Sequence, residues 1–154
     1  MLSGYSKWRG EKRSQAITLR FKVALVEKVP LFGGLSNKEV SQIARLVKEV
    51  ECPAGTRLAT VGEPGGELFL IVHGEAVVRT KAGRTTGLKA GDFFGEMSLI
   101  DGAPRSATVE ATTSMRLLVL GQRDFWHVLD GTPSIVHKVM QTICQRLREV
   151  EERA

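Results

Sequence analysis

The sequence predicts a mainly β domain of the α+β class, a jelly-roll-like β-barrel flanked by N-terminal helices and followed by a C-terminal helical lid. Three observations lead there. Between Val47 and Leu120 the 154-residue chain breaks into short β-prone runs separated by turn residues at regular intervals. A serine–glutamate capping box opens an amphipathic segment just before them. After Gly121 the apolar spacing returns to the helical period and keeps it to the end.

Each element has its own justification. From Ala16 to Val29 the residues Ile17, Phe21, Ala24, Leu25 and Val29 fall near helical spacing, and Pro30 ends the run by pushing the residue before it out of the helical region. In Ser36-Asn37-Lys38-Glu39 the serine is the expected N-cap and the glutamate its reciprocal partner, followed by the apolar set Val40, Ile43, Ala44 and Val47. Strands are expected at Glu49–Cys52, Arg57–Val61, Glu67–Val72, Ala76–Thr80, Thr85–Lys89, Ala107–Ala111 and Met115–Leu120. The turns between them carry Pro53-Ala54-Gly55, Glu63-Pro64-Gly65-Gly66, His73-Gly74 and Ala82-Gly83. By the period of two, Ala76, Val78 and Thr80 share a face, so Val78 can point inward. Gln122 to Leu129 reads as a short helix with Phe125 and Trp126, stopped by Asp130-Gly131-Thr132-Pro133. Ser134 is then expected to cap a longer helix, whose Val136, Met140, Ile143, Leu147 and Val150 follow the spacing of a heptad seam. That seam could pack on the barrel or pair with a second copy in a homodimer.

Composition narrows the functional classes. The length suits one domain that buries its own core. Cys52 and Cys144 lie far apart with no CxxC, which argues against a disulfide framework and for a reducing, cytoplasmic setting. The longest apolar run, Leu68 to Val72, is far too short to span a bilayer. All of the +5 net charge falls in residues 1–30, where seven basic residues face two acidic ones. With Tyr5 and Trp8 interleaved among Lys7, Arg9, Lys12 and Arg13, such an arm could touch nucleic acid, an acidic partner or a membrane surface. Charge runs are more often hydrated leaders, and that is the reading preferred over any nucleic-acid role.

Chemistry concentrates in FGEMSLIDGAPRSATV, Phe94 to Val109. Gly95 lets the backbone approach a ligand, and the amides opening the helical turn at Glu96 attract anions. Asp101-Gly102-Ala103-Pro104 turns the chain back, bringing Arg105, with Ser106 beside it, to a place where its planar fork can take two oxygens of one phosphate. Glu96 would repel phosphate, so its tasks are accepting a hydrogen bond from a sugar hydroxyl or steadying a cation. Phosphate plus vicinal hydroxyl suggests a nucleotide.

This stretch resembles the phosphate-binding cassette of the cyclic-nucleotide-binding domain family, whose pattern runs F-G-E, apolar, small, apolar, then R, small, A-T. The resemblance extends from about Val29 to the C-terminal helix and includes the lead-in Leu31 to Ser36. It implies that Glu96 takes the ribose 2′-hydroxyl and Arg105 the exocyclic phosphate oxygens. The amides around Gly95, Met97 and Ser98, with Ser106, would supply the other phosphate contacts, and Met97 and Val78 would pack on the purine. On this reading residues 1–28 form a basic helical or flexible segment and 29–154 the binding domain. Cyclic AMP is favoured, with cyclic GMP as the alternative: in the family a hydroxyl directly after the arginine often accompanies guanine preference, and Ser106 offers one, but serine at that place also occurs in cyclic-AMP-binding activators. A residue of the last helix would cover the base, with Gln141, Gln145 and Arg146 as choices.

Other constellations fail. His73, His127 and His137 lack metal-ligand spacing, Ser98 sits in no nucleophile elbow, and the Gly62, Gly65 and Gly66 group has no Walker lysine and reads as hairpin residues. Neither a metal nor a catalytic residue is expected, so the chain reads as no enzyme. The expectation is a stand-alone cyclic nucleotide sensor that signals to an effector protein through its C-terminal helix. The alternatives are a transcription-regulator fragment lacking its helix-turn-helix and a ligand-free interaction domain of the same fold.

Overall fold

A computed structural model of the chain describes residues 16–153. In chain order its elements are α1 (Leu19–Val26), a 3-10 turn (Pro30–Phe32), α2 (Asn37–Ala44), β1 (Lys48–Cys52), β2 (Arg57–Ala59), β3 (Glu67–His73), β4 (Ala76–Thr80), β5 (Thr85–Leu88), β6 (Phe93–Phe94), α3 (Glu96–Asp101), β7 (Ala107–Ala111), β8 (Met115–Gly121), α4 (Gln122–Gly131) and α5 (Pro133–Arg153). They form two compact units, one built on Val47–Gln122 and the other on Thr18–Leu46 with the chain from Arg123 onward. The basic cluster of Lys7 to Arg13 lies outside the described residues.

The first unit is a pair of four-stranded antiparallel sheets, ordered β1-β8-β3-β6 and β2-β7-β4-β5. Alternate residues point between the sheets, so Val50, Cys52, Phe69, Ile71, Ala76, Val109, Ala111, Met115, Leu117 and Val119 make one buried cluster. β3 and β8 are buried on both faces, and their continuous apolar runs are what such strands require. The jelly-roll-like topology is as expected, but the expected barrel is not closed. Closure fails because β6 is two residues long and pairs only with β3, and Gly95 then turns the chain into α3 instead of across to the edge strand β5. β6 itself was not anticipated. The strand expected over Arg57–Val61 ends at Ala59, where the register with β7 shifts and the Val61 amide donates to Thr108 Oγ1 at 3.1 Å.

The second unit is helical. α1 is shorter than the expected Ala16–Val29 because Thr18 caps it, its Oγ1 accepting from the Phe21 amide at 3.2 Å. The capping box at α2 is complete: Ser36 Oγ accepts from the Glu39 amide at 3.2 Å, and Glu39 Oε1 accepts from the Ser36 amide at 2.9 Å. Glu39 also receives Lys138 Nζ at 2.6 Å and Ser134 Oγ at 2.5 Å, tying α2 to α5. Ser134 is therefore not the N-cap of α5. Pro133 opens that helix, at the position where a missing N–H costs nothing. α4 runs to Gly131, past the expected Leu129, and Phe125 packs on Phe32 with ring centroids 5.6 Å apart. Along α5, Ile135 and Val139 are buried, whereas Met140, Leu147 and Val150 of the heptad seam are exposed. Among the described residues no helix is long and apolar enough to cross a membrane.

Candidate functional site

The site is assembled from three segments of the first unit. α3 is launched by Gly95, whose φ of 90° and ψ of 11° are left-handed. A side chain there would collide with the Glu67 carbonyl oxygen and lie 2.7 Å from Arg105 Nη1, so only glycine permits this approach. The first amides of α3 have no acceptor inside the helix, as at any helix start. The helix ends at Gly102, whose amide donates to the Ser98 carbonyl at 2.8 Å, and Asp101 Oδ1 accepts from the Ala103 amide at 2.9 Å. Ser98 Oγ donates to the Ala103 carbonyl at 3.3 Å and closes the turn that returns the chain to Arg105.

Arg105 is fixed along its whole length. Its amide donates to the Glu63 carbonyl and its carbonyl accepts from the Gly62 amide, both at 2.8 Å, so the β2–β3 loop grips its main chain. Nη2 donates to the Glu67 carbonyl at 3.0 Å and stands 3.7 Å from Glu67 Oε2. The guanidinium carbon lies 5.7 Å from the centroid of Phe69, which stacks on Phe94 at 4.7 Å. Both members of the ion pair are buried. Burial pushes the Arg105 guanidinium down from its ordinary value and the Glu67 carboxyl up, and in each case the partner's charge opposes the shift.

Beside this arrangement opens a cavity of about 420 Å³, within the range of small-molecule sites. All seven residues singled out from the sequence line it: Val78, Gly95, Glu96, Met97, Ser98, Arg105 and Ser106. Ala59, Phe93, Phe94, Ala107 and Val109 add apolar wall, and Asp101, Ala103 and Pro104 complete the lining. Val78 is half-buried in register with Val109 and Thr86, Met97 is 62 % exposed, and Ser106 is exposed. The cavity can therefore offer a cation for an anionic group, a carboxylate for a hydroxyl, and apolar side chains for a flat ring. Gln141, Gln145 and Arg146 belong to α5 in the other unit, and the cavity lining is drawn from the first unit alone.

Four contributors escape a reading of the motif. Glu67 and Phe69 hold the Arg105 guanidinium from 38 and 36 residues upstream, and the available signal was a carboxylate opening the apolar run Leu68–Val72. Gly65 is more than a hairpin residue, because a Cβ there would strike Ser98 and lie 2.7 Å from the Ala103 carbonyl oxygen. Gln122 Nε2 faces the carbonyls of Ser98, Leu99 and Ile100 at 3.4, 3.3 and 3.4 Å, and its two hydrogens add to the Gly102 amide at the end of α3.

Comparison with known proteins agrees with this geometry. A sequence model described as the cyclic nucleotide-binding domain matches residues 49–132. A cyclic nucleotide-gated potassium channel of Mesorhizobium japonicum is 39% identical over 122 residues, which is 79% of this chain and 34% of the channel. A cAMP-dependent protein kinase regulatory subunit of Aspergillus fumigatus is 34% identical over 121 residues, 77% of this chain and 29% of the subunit. The chain thus spans about a third of the length of these relatives. Among solved structures, the N-terminal domain of a transcriptional regulator from Streptomyces coelicolor superposes with a TM-score of 0.75 at 27% identity, covering 84% of this chain and 94% of that one. The sandwich, the glycine-launched helix and the buried arginine beside the cavity, together with these matches, make the chain a member of the cyclic nucleotide-binding domain family, regulatory in type.

Proposed function

We propose that the chain is a cyclic nucleotide sensor, that cyclic AMP is its ligand, and that α5 carries the signal to an effector protein in the cytoplasm. The observation that carries the reading is the convergence of Glu96, Arg105, Val78 and Met97 on one cavity. Arg105 takes the exocyclic phosphate oxygens, with Ser106 and the amides at Gly95, Met97 and Ser98 supplying further contacts. Glu96 accepts from the ribose 2′-hydroxyl, and Val78 and Met97 cover the purine. Cyclic AMP is preferred to cyclic GMP because several matched relatives are named as cAMP-dependent. No residue of the cavity is assigned a catalytic role.

Signalling needs an element that ligand can bias, and bias requires different affinities for its two positions. The contact of Gln122 with the end of α3 supports such a coupling, since Gln122 is also the first residue of α4, which leads directly into α5. A second reading is favoured by the match to a regulator's N-terminal domain: the same binding module could govern a DNA-binding segment. In either case ligand binding comes first. Calorimetric titration with cyclic AMP and cyclic GMP tests it, the expected result being saturable binding with cyclic AMP tighter. Absence of binding by both, with no change in the melting midpoint, would leave a ligand-free interaction domain as the surviving description.

A further inference from the structure

Arg105 lines the cavity and is held by a buried anion of the protein itself. Its Nη2 faces both the carbonyl and the carboxylate of Glu67, at 3.0 and 3.7 Å, and neither side chain is more than 9% exposed. Arg105 lines the cavity and Glu67 does not, so the carboxylate reaches the guanidinium from a side other than the ligand's. Its position also follows from the fold: Glu67 opens β3 opposite Gly121, and Gly95 passes close over its carbonyl.

We propose that Glu67 is a built-in counter-anion for Arg105 that a cyclic phosphate must share, so that it stabilises the ligand-free site and holds ligand affinity down. The inference rests on Arg105 being the phosphate ligand, as proposed above. In the free protein Glu67 balances a cation that would otherwise be buried without a partner, a costly condition. In the complex two anions flank one guanidinium. Their mutual repulsion and the division of its hydrogen-bonding capacity weaken what either gains. Removing the carboxylate therefore costs the free form more than the bound form, and by linkage that difference appears as tighter binding. A residue that merely shaped the pocket would behave otherwise, since its loss would lower stability and affinity together.

The experiment is Glu67→Gln in the full chain, which keeps the side-chain volume and removes the charge. Melting without ligand and calorimetric titration with cyclic AMP are compared with the parent. The expected result is a lower melting midpoint without ligand and a Kd about tenfold smaller, with a larger ligand-induced rise in the midpoint. Equal or weaker binding by Glu67→Gln, with the parent binding normally, overturns the role of Glu67 and leaves the functional reading standing. A parent that binds neither cyclic AMP nor cyclic GMP overturns both. Should Glu67→Gln fail to fold alone, refolding in excess cyclic AMP restores the fold if Glu67 acts as proposed, and failure to recover it there counts against the idea.

Discussion

At the scale of single residues, Arg105→Ala has two effects of separate origin. Loss of a charge-assisted contact to an anion lowers cyclic AMP affinity by roughly a hundredfold. Loss of the partner also leaves Glu67 as a buried carboxylate without its cation, a destabilisation of about 3 kcal/mol. Calorimetry and thermal melting measure the two separately, and unchanged affinity would remove Arg105 from the phosphate site. Gly95→Ala acts by another route. A Cβ there meets the Glu67 carbonyl and Arg105 Nη1 on a backbone at φ 90°, so about 1–3 kcal/mol of stability is lost and the guanidinium is displaced. The expected readout is weaker cyclic AMP binding by a folded but less stable variant, and parental stability would contradict the geometry. Glu96, Arg105 and the glycine between the strand and α3 were legible in the sequence because the motif is local, one turn and its return limb. Glu67 was not, since its importance comes from a tertiary contact across 38 positions that no short pattern encodes.

Elements were legible where their signals were also local. The capping box of α2 could be read from four residues, and the structure realises both of its hydrogen bonds. The start of α5 could not, because Ser134 looks like a cap until its hydroxyl is seen bonded to Glu39, 95 positions away. That same contact gives a pH prediction. Glu39 is held down to about 2 from its ordinary 4.5, first by the Lys138 hydrogen bond and then by Ser134 and the Ser36 amide. A lowered acid stabilises the fold fully above its unfolded value and loses that contribution as pH falls. Glu39→Gln should therefore melt below the parent at neutral pH, with the gap closing between about pH 4.5 and 2. A gap independent of pH across that window would show that the Glu39 charge adds nothing. Gln122→Ala is a second element-level test, since it takes a donor away from the end of α3 and leaves the Leu99 and Ile100 carbonyls without it, and weaker cyclic AMP binding is expected in a variant altered outside the cavity.

For the molecule as a whole, seven of the eight strands and the jelly-roll-like class followed from turn spacing, whereas β6 and the failure to close did not. Whether sheets close depends on edge strands, and β6, at two residues, is too short to show in any periodicity. The helical part raises the question of what occupancy of the cavity changes. α5 is anchored through Lys138 and Ser134 to Glu39, near its start, while Met140, Leu147 and Val150 farther along remain exposed. A helix held at one end and bare toward the other can change position there without breaking a buried core. Cys144 lies in that exposed stretch and Cys52 is buried, so a thiol-reactive, environment-sensitive fluorophore reports on α5 selectively. Addition of cyclic AMP should shift the emission of the labelled parent. It should leave labelled Arg105→Ala unchanged at the same concentration, which separates ligand occupancy from any direct effect of the nucleotide on the dye. A parent that binds cyclic AMP by calorimetry yet shows no emission change would mean that α5 does not carry the signal, because coupling requires the two positions of the helix to differ in ligand affinity.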